Sequence, residues 1–532
     1  MGRNARCVAA LVGLCLLANS GVRVSHAGMI RRSGTRFIDE GCKEFMFSGW
    51  NSWTLLESAT GMGPSLDEIY GTMQAAGLTV GRFFGHGGGK GFVLQNGPGS
   101  YNGNALVALD KILDEASKRN IRLIVAFSNN WQIPDGKAGF AGWAGKDPGA
   151  FFTDATVKRF FKDHIKFITN RVNSVNGKLY KEDDAILAWN LINEPRCDCD
   201  VWKPVESQCT PDCADQVQAW IEEMSEFVKS EDPYHMVTVG EEGFYSFNSG
   251  REHINPDVLP WASQEGMDKF VRETGLTAED SHWAKRSGQD FIRNHQPEAI
   301  DFAAIHLWVD NWMVPQLQFQ RNWIAEHIND AKGLGKPLVV EEFGKTAPDT
   351  PQGRTAERNP FFQDIYNTFA QQRAAGGPLK GIGFWEFGIG KRTDISVSTG
   401  DSTWTDIIVP GSQKLLAELQ SKGKVQNCVP GEFRSFDAVL SGNGNQYITG
   451  GAHLEAANPG LILLAESSVT LKDCLDICDE LDECNAISHG NQQRECILYS
   501  DGGDQDSLKW SGGGWQTYWK TTSAPTKISV VG

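Results

Sequence analysis

The chain has 532 residues, with 50 Lys and Arg against 66 Asp and Glu, a formal charge of −16 at pH 7. That acidic balance makes nucleic acid, anionic membrane surfaces and polyanionic substrates poor main partners, while 40% hydrophobic and 22% charged residues exclude wholesale disorder. The length has room for one large barrel with an appendage, and the 17 Trp suit flat apolar surfaces for a neutral partner.

Residues 1–27 read as a signal peptide. Arg3 and Arg6 form a basic start, Cys7 to Ala18 is an apolar run, and Ser25-His26-Ala27 ends in small residues. The run is short for a membrane span, and no later segment reaches about 18 unbroken apolar residues. The expectation is a secreted, extracellular protein with no membrane partner.

From residue 44 to 421, short apolar runs alternate with amphipathic stretches. The runs are Phe45–Trp50, Thr79–Phe84, Ile121–Phe127, Ala185–Leu191, Met236–Gly240, Phe302–His306, Pro337–Glu342 and Gly381–Phe387. Runs this apolar suit strands covered on both faces. Between them, Asn104 to Arg119 reads as a helix with an Asn cap and a stripe of Leu106, Leu109, Leu113 and Ala116. Val217 to Val228 repeats the pattern. Eight such pairs fit an α/β fold of the (β/α)8 TIM-barrel class over residues 28–428. The alternative, a doubly wound sheet, would want a Gly-x-Gly-x-x-Gly after the first strand, and none is there. Gly87-Gly88-Gly89 reads as a flexible loop.

Removing the leader leaves ten of the 12 cysteines. Cys197, Cys199, Cys209 and Cys213 form one group, Cys474, Cys478, Cys484 and Cys496 another, and Cys42 and Cys428 stand alone. No His lies near the first group, so two disulfides stapling a loop are expected there rather than zinc. A Cys42–Cys428 bridge would tie the domain's start to its end. Residues 429–460 are rich in Gly, Asn and Ser and read as a linker or module start. The cysteines of 461–520 suggest a small disulfide-rich α+β module, and 521–532 a flexible tail.

Two strand ends carry carboxylates. Ala185–Leu191 runs into Ile192-Asn193-Glu194-Pro195, and Pro337–Val340 into Glu341-Glu342-Phe343-Gly344. Acids at these positions sit on the face where barrel active sites lie. Two carboxylates across a cleft are what glycoside hydrolysis requires, in retaining or inverting form. Strict alternation would let only one of Glu341 and Glu342 face the cleft.

Seven ordered motifs make the resemblance specific: Phe47-Ser48-Gly49-Trp50-Asn51, Gly81-Arg82-Phe83-Phe84, Asn129-Asn130-Trp131, Trp189 to Cys197, Gly240-Glu241-Glu242-Gly243-Phe244-Tyr245, Asp301 to His306, and Glu342-Phe343-Gly344-Lys345. Over roughly residues 40–425 the chain resembles endo-β-1,4-mannanases of glycoside hydrolase family 5, in the plant and fungal branch. The resemblance implies a retaining double displacement on mannan, glucomannan or galactomannan, with Glu194 as acid/base and Glu342 as nucleophile. Neighbouring negative charge should keep Glu194 protonated, and Arg82 should hold Glu342 ionised. Asn193 should meet the sugar 2-hydroxyl, and His306 should lie in the site. Trp308 stands where many relatives carry a Tyr that bonds the nucleophile; its indole can donate but not titrate, and Tyr245 could supply a phenol instead. Trp385 should be the sugar platform, with Trp131 and Trp53 lining neighbouring subsites. Neither metal nor cofactor is implied. A β-glucanase or cellulase of the same family, or an inactive wall-binding protein, are the rival readings. Residues 257–285 look inserted relative to relatives.

The C-terminal module, ending in Gly514-Trp515-Gln516-Thr517-Tyr518-Trp519, resembles a PAN/Apple domain. That resemblance implies the pairs Cys474–Cys496 and Cys478–Cys484 and a role in binding cell-wall carbohydrate or protein.

Overall fold

The computed structural model describes residues 28–425, apart from 88–91, 132, 198–212, 248, 257–281, 348–352 and 389–392, and six short strands between 440 and 521. The expected leader, Cys199, Cys209, Cys428, Cys474, Cys478, Cys484, most of the 257–285 insertion and nearly all of the tail lie outside the described residues.

Eight parallel strands form one sheet: β1 (Phe47–Asn51), β2 (Val80–Phe84), β3 (Arg122–Ala126), β4 (Ile186–Asn190), β5 (Met236–Thr238), β6 (Ala303–Leu307), β7 (Leu338–Phe343) and β8 (Leu379–Phe384). Their spatial order is β5-β4-β3-β2-β1-β8-β7-β6. The remaining seam, between β5 and β6, is closed by other bonds. Asp301 N–H donates to Val237 O at 2.8 Å, and Thr238 Oγ1 donates to Phe302 O at 3.1 Å. Asp301 Oδ2 also accepts Val237 N–H at 2.7 Å, so a carboxylate completes the ring where the ladder stops.

A helix follows each strand: α1 (Leu66–Ala76), α2 (Gly103–Lys118), α3 (Ala155–Thr169), α4 (Cys213–Glu231), α5 (Phe291–Asn294), α6 (Leu317–Leu334), α7 (Gly353–Ala375) and α8 (Val409–Ser421). The wholly buried strands follow from this jacket, with side chains packed inside the ring and against helices outside it. The expected cap of α2 moves by two residues. Asn102, not Asn104, caps it, its side chain accepting the Asn104 and Ala105 amides.

Side chains of the lower barrel, Phe47, Val80, Ile124, Ala188, Ala304 and Val339, form one apolar cluster with Phe37 of the N-terminal flap. Phe37 meets Phe302 edge-on at 5.3 Å. The flap is a three-stranded antiparallel sheet of Arg31–Ser33, Arg36–Ile38 and Glu44–Phe45.

Cys197 and Cys213 form a disulfide between positions 16 apart, bridging the segment between β4 and α4. Cys42 is also disulfide-bonded, and its carbonyl accepts the Val425 amide at 2.7 Å. Beyond the barrel, Leu440–Ser441, Gln446–Gly450, Ile462–Ser467, Ala486–Gly490, Glu495–Tyr499, which contains Cys496, and Trp515–Thr521 form an antiparallel six-stranded sheet. Gln446–Gly450 pairs with Trp515–Thr521, so part of the expected linker belongs to the sheet.

Candidate active site

Above the apolar layer the same inward positions turn polar. On β2, β4, β6 and β7 the next inward residues are Arg82, Asn190, His306 and Glu341, all buried. Glu342 joins them through a slip in register. Ile305 pairs with Val340, but His306 pairs with Glu342, leaving Glu341 as an extra residue in β7. Such a bulge suspends alternation. Alternation therefore does not send the two acids to opposite sides of β7: both lie inside the barrel and reach Arg82 and His306, Glu341 beneath Glu342 with no side-chain exposure.

Glu342 Oε1 is salt-bridged to Arg82, and its Oε2 accepts the Trp308 Nε1–H at 3.2 Å. Arg82 also donates to Asn193 Oδ1 at 2.7 Å and Asn51 Oδ1 at 3.1 Å, which fixes its plane. Glu194 lies across the cleft, its Oε2 accepting the Trp131 Nε1–H at 2.6 Å and its Oε1 2.8 Å from His306 Nδ1. Its backbone adopts φ 53°, a left-handed conformation that costs a non-glycine residue about 1–2 kcal/mol. The preceding Asn193 amide bonds Ser128 O at 2.9 Å, and Glu194's own amide bonds Gly240 O at 2.7 Å, holding the turn. Ligand atoms of Glu194, His306 and Glu342 all lie within 4.8 Å of one another. With Arg82 already on Glu342, the trio is arranged to handle protons rather than to ligate a metal.

The electrostatics differ from the sequence expectation. Burial alone raises Glu194, but His306, Arg196 and the Trp131 N–H outweigh it and the net shift is downward. Burial raises Glu342 and Glu194 adds to it, and the net shift is upward despite the pull of His306, Arg82 and Trp308, so Arg82 does not hold this carboxyl low as expected. Burial disfavours the His306 cation, yet Glu342, Glu194 and Glu341 lift it to about 10. The proton expected on Glu194 thus rests on His306, whose Nδ1 is 2.8 Å from Glu194 but 3.7 Å from Glu342.

Trp385 is half-buried at the end of β8, 5.9 Å from Phe84 and 6.2 Å from Trp308 between ring centres. Trp131 is 42% exposed, as a surface for a ligand ring requires. Trp53 bonds Glu386, a carboxyl that burial pushes up to about 7. Tyr245 is not in the site. Its hydroxyl donates to Asp330 of α6 at 2.6 Å, so Trp308 alone of the two meets Glu342.

Sequence reasoning passed over three groups. Arg196 stacks over Trp131, Phe244 and Trp283, at 5.3, 5.4 and 4.9 Å, and bonds Glu242 through Nε at 2.9 Å. Trp283, within the 257–285 stretch, thereby stacks on the same guanidinium as Trp131. Glu341 and Glu386 are the other two; the only sequence signal was an acid beside an already chosen residue.

The profile of the glycoside hydrolase family 5 β-mannosidase-like proteins matches residues 27–254 and 268–406. Mannan endo-1,4-β-mannosidase 1 of Arabidopsis thaliana is 30% identical over 420 residues, covering 75% of this chain and 93% of that protein. Mannan endo-1,4-β-mannosidase 8 of Oryza sativa subsp. japonica is 34% identical over 373 residues, covering 67% and 90%. The crystal structure of an endo-1,4-β-mannanase from Rhizomucor miehei superposes with a TM-score of 0.59 at 24% identity, covering 73% of this chain and 99% of that one.

Proposed function

Since the chain belongs to the glycoside hydrolase family 5 β-mannosidase-like family, we propose that it is an endo-β-1,4-mannanase cleaving internal mannosidic bonds with retention of configuration. The observation that carries the stereochemistry is the approach of Glu194 and Glu342 oxygens to within 4.8 Å. Retaining enzymes hold their carboxyls about 5–5.5 Å apart, whereas inverting ones need about 6.5–9.5 Å to admit a water.

In this reading Glu342 attacks the anomeric carbon while Glu194 protonates the departing oxygen. The proton comes from the Glu194–His306 pair, crossing the 2.8 Å contact as the leaving group takes one from Glu194. The ester formed on Glu342 carries no charge, and Glu194 then removes a proton from the water that attacks it. Arg82 and Trp308 hold the Glu342 carboxylate in line. Asn193 keeps one amide hydrogen for the sugar 2-hydroxyl, because Asn129 Oδ1 takes the other at 3.1 Å. Trp385 offers a face to the sugar's C–H surface, which suits a neutral polymer.

The test is reducing-sugar release from glucomannan, galactomannan and cellulose side by side, with the first-formed anomer read by NMR. Release from the mannans as the β-anomer is expected, and nearly all of it should vanish in Glu194→Ala and Glu342→Ala. Preference for cellulose would overturn the substrate, an α-anomer the retention, and a folded but inactive wild type would leave a wall-binding protein.

The reading extends to the whole chain: a secreted protein released near Ala27, with residues 28–428 catalytic and, around the six-stranded sheet whose strands run from 440 to 521, a PAN/Apple-like module that binds wall carbohydrate. Support comes from the Cys197–Cys213 disulfide, which suits an oxidising compartment. A chain ending after Cys428 should cleave soluble glucomannan normally but sediment less with insoluble mannan. Equal sedimentation would assign the module another ligand.

A further inference from the structure

Glu341 is among the most deeply buried acids in the barrel, with no side-chain exposure. Its main-chain carbonyl accepts Asn51 Nδ2 at 2.8 Å, and its Oε2 accepts Asn190 Nδ2 at 2.9 Å. The same Oε2 lies 3.6 Å from Arg82 Nε and 3.6 Å from His306 Nε2. Among the described residues those two nitrogens have no closer hydrogen-bond partner. Each cation therefore turns one face to the cleft acids and its back to Glu341: Arg82 spans Glu342 and Glu341, and His306 spans Glu194 and Glu341.

We propose that Glu341 is a positioning residue of the catalytic centre, one carboxylate oxygen aligning Arg82 behind Glu342 and keeping His306 protonated behind Glu194. The proposal rests on the reading of Glu194 and Glu342 as the catalytic pair. The bulge in β7 is what makes it feasible, because without the slip Glu341 and Glu342 would point to opposite sides of the strand. His306 faces Glu194 from the loop after β4, Glu341 and Glu342 from β7, Arg82 from β2, and Glu241 from the loop after β5. Glu241, fully buried and near Asp290 and Glu242, is pushed well up by its burial first and by those two acids next, all of which work against its charged form. Glu341 is thus the carboxylate whose removal should change the charge of His306 without touching either acid of the catalytic pair.

The decisive experiment compares wild type, Glu341→Gln and Glu341→Asp in the full chain. Nitrogen-15 spectra of histidine-labelled protein report the His306 ring directly, its signals assigned by their loss in His306→Asn. In Glu341→Gln the His306 ring should lose its proton at least one pH unit lower than in wild type. The alkaline limb of kcat/KM should move down with it, kcat should fall about tenfold or more, and KM should change less. Glu341→Asp restores the charge, so its limb should return toward that of wild type even if kcat stays reduced. A Glu341→Gln protein with an unchanged His306 titration and an unchanged limb would overturn the proposal, whatever its melting temperature. A wild type inactive on mannan would sink the functional reading alone, since the histidine titration needs no substrate.

Discussion

Glu342 sits where an arginine and an indole converge, and the indole is the more testable of the two. Trp308 Nε1–H reaches Oε2 at 3.2 Å, a hydrogen bond to a charged acceptor. Such bonds are worth about 1.5–3 kcal/mol, or roughly a 10- to 100-fold change in rate when they act on the transition state. Trp308→Phe keeps an apolar ring in the wall but has no donor, so kcat should fall by about that factor while the melting temperature changes little. Gly344 supplies an independent route to the same bond. A Cβ there would run into the Trp308 ring, so Gly344→Ala should push the indole off Glu342 and cost activity and some stability. Steady-state kinetics and a thermal melt of each variant check both. Full activity in Trp308→Phe would reduce Trp308 to wall packing.

The connection from β4 to α4 shows how a loop next to the acid is held. The Cys197–Cys213 disulfide closes a loop of 16 residues, worth about 3 kcal/mol in the chain-entropy picture. Cys197 N–H also bonds Ser287 O at 2.7 Å, and the preceding Arg196 stacks on Trp131, the donor to Glu194. Replacing both cysteines with serine should lower the melting temperature by a few degrees and raise KM for polymer several-fold, with kcat less affected. If KM stays put while the melting temperature falls, the staple serves stability alone. This element also marks where sequence reading succeeds and stops. The barrel strands were legible because helices cover them, which imposes continuous apolar runs such as Ile186–Asn190. Strand-end acids were legible because Pro195 and Gly344 end the runs. The bulge was not, because register is set by pairing with β6, not by β7 itself. Nor was the fate of Tyr245, a loop residue whose partner Asp330 lies 85 residues away on α6.

Across the molecule, the buried histidines should decide how the fold responds to acid. His295 donates through Nδ1 to Phe291 O at 2.8 Å and accepts the Ala304 amide on Nε2 at 3.2 Å, so a second ring proton would have to break the latter bond. Burial lowers His295 to about 3 and His164 to about 4, and it lowers His86 and His327 as well. A histidine depressed in the folded state binds fewer protons there than in the unfolded chain. Its contribution is intact above its unfolded value near 6.5 and drains away as the pH falls toward 4 and 3. His306, raised to about 10, acts in the opposite sense: its contribution is complete below about 6.5 and is lost as the pH climbs through 10. The net charge of −16 works against the acid effect, since titrating surface carboxylates relieves self-repulsion. That repulsion is screened beyond about 8 Å at 0.15 M salt, whereas the buried rings are not reached by it. The melting temperature in 0.15 M salt should therefore fall steadily from pH 6.5 to pH 4. His295→Gln, which can still accept from Ala304, should melt lower at pH 7 yet show a shallower decline below pH 6. An identical decline in the variant would mean that this ring does not govern acid unfolding, and a melting temperature that rose on acidification would show that surface repulsion outweighs the buried rings.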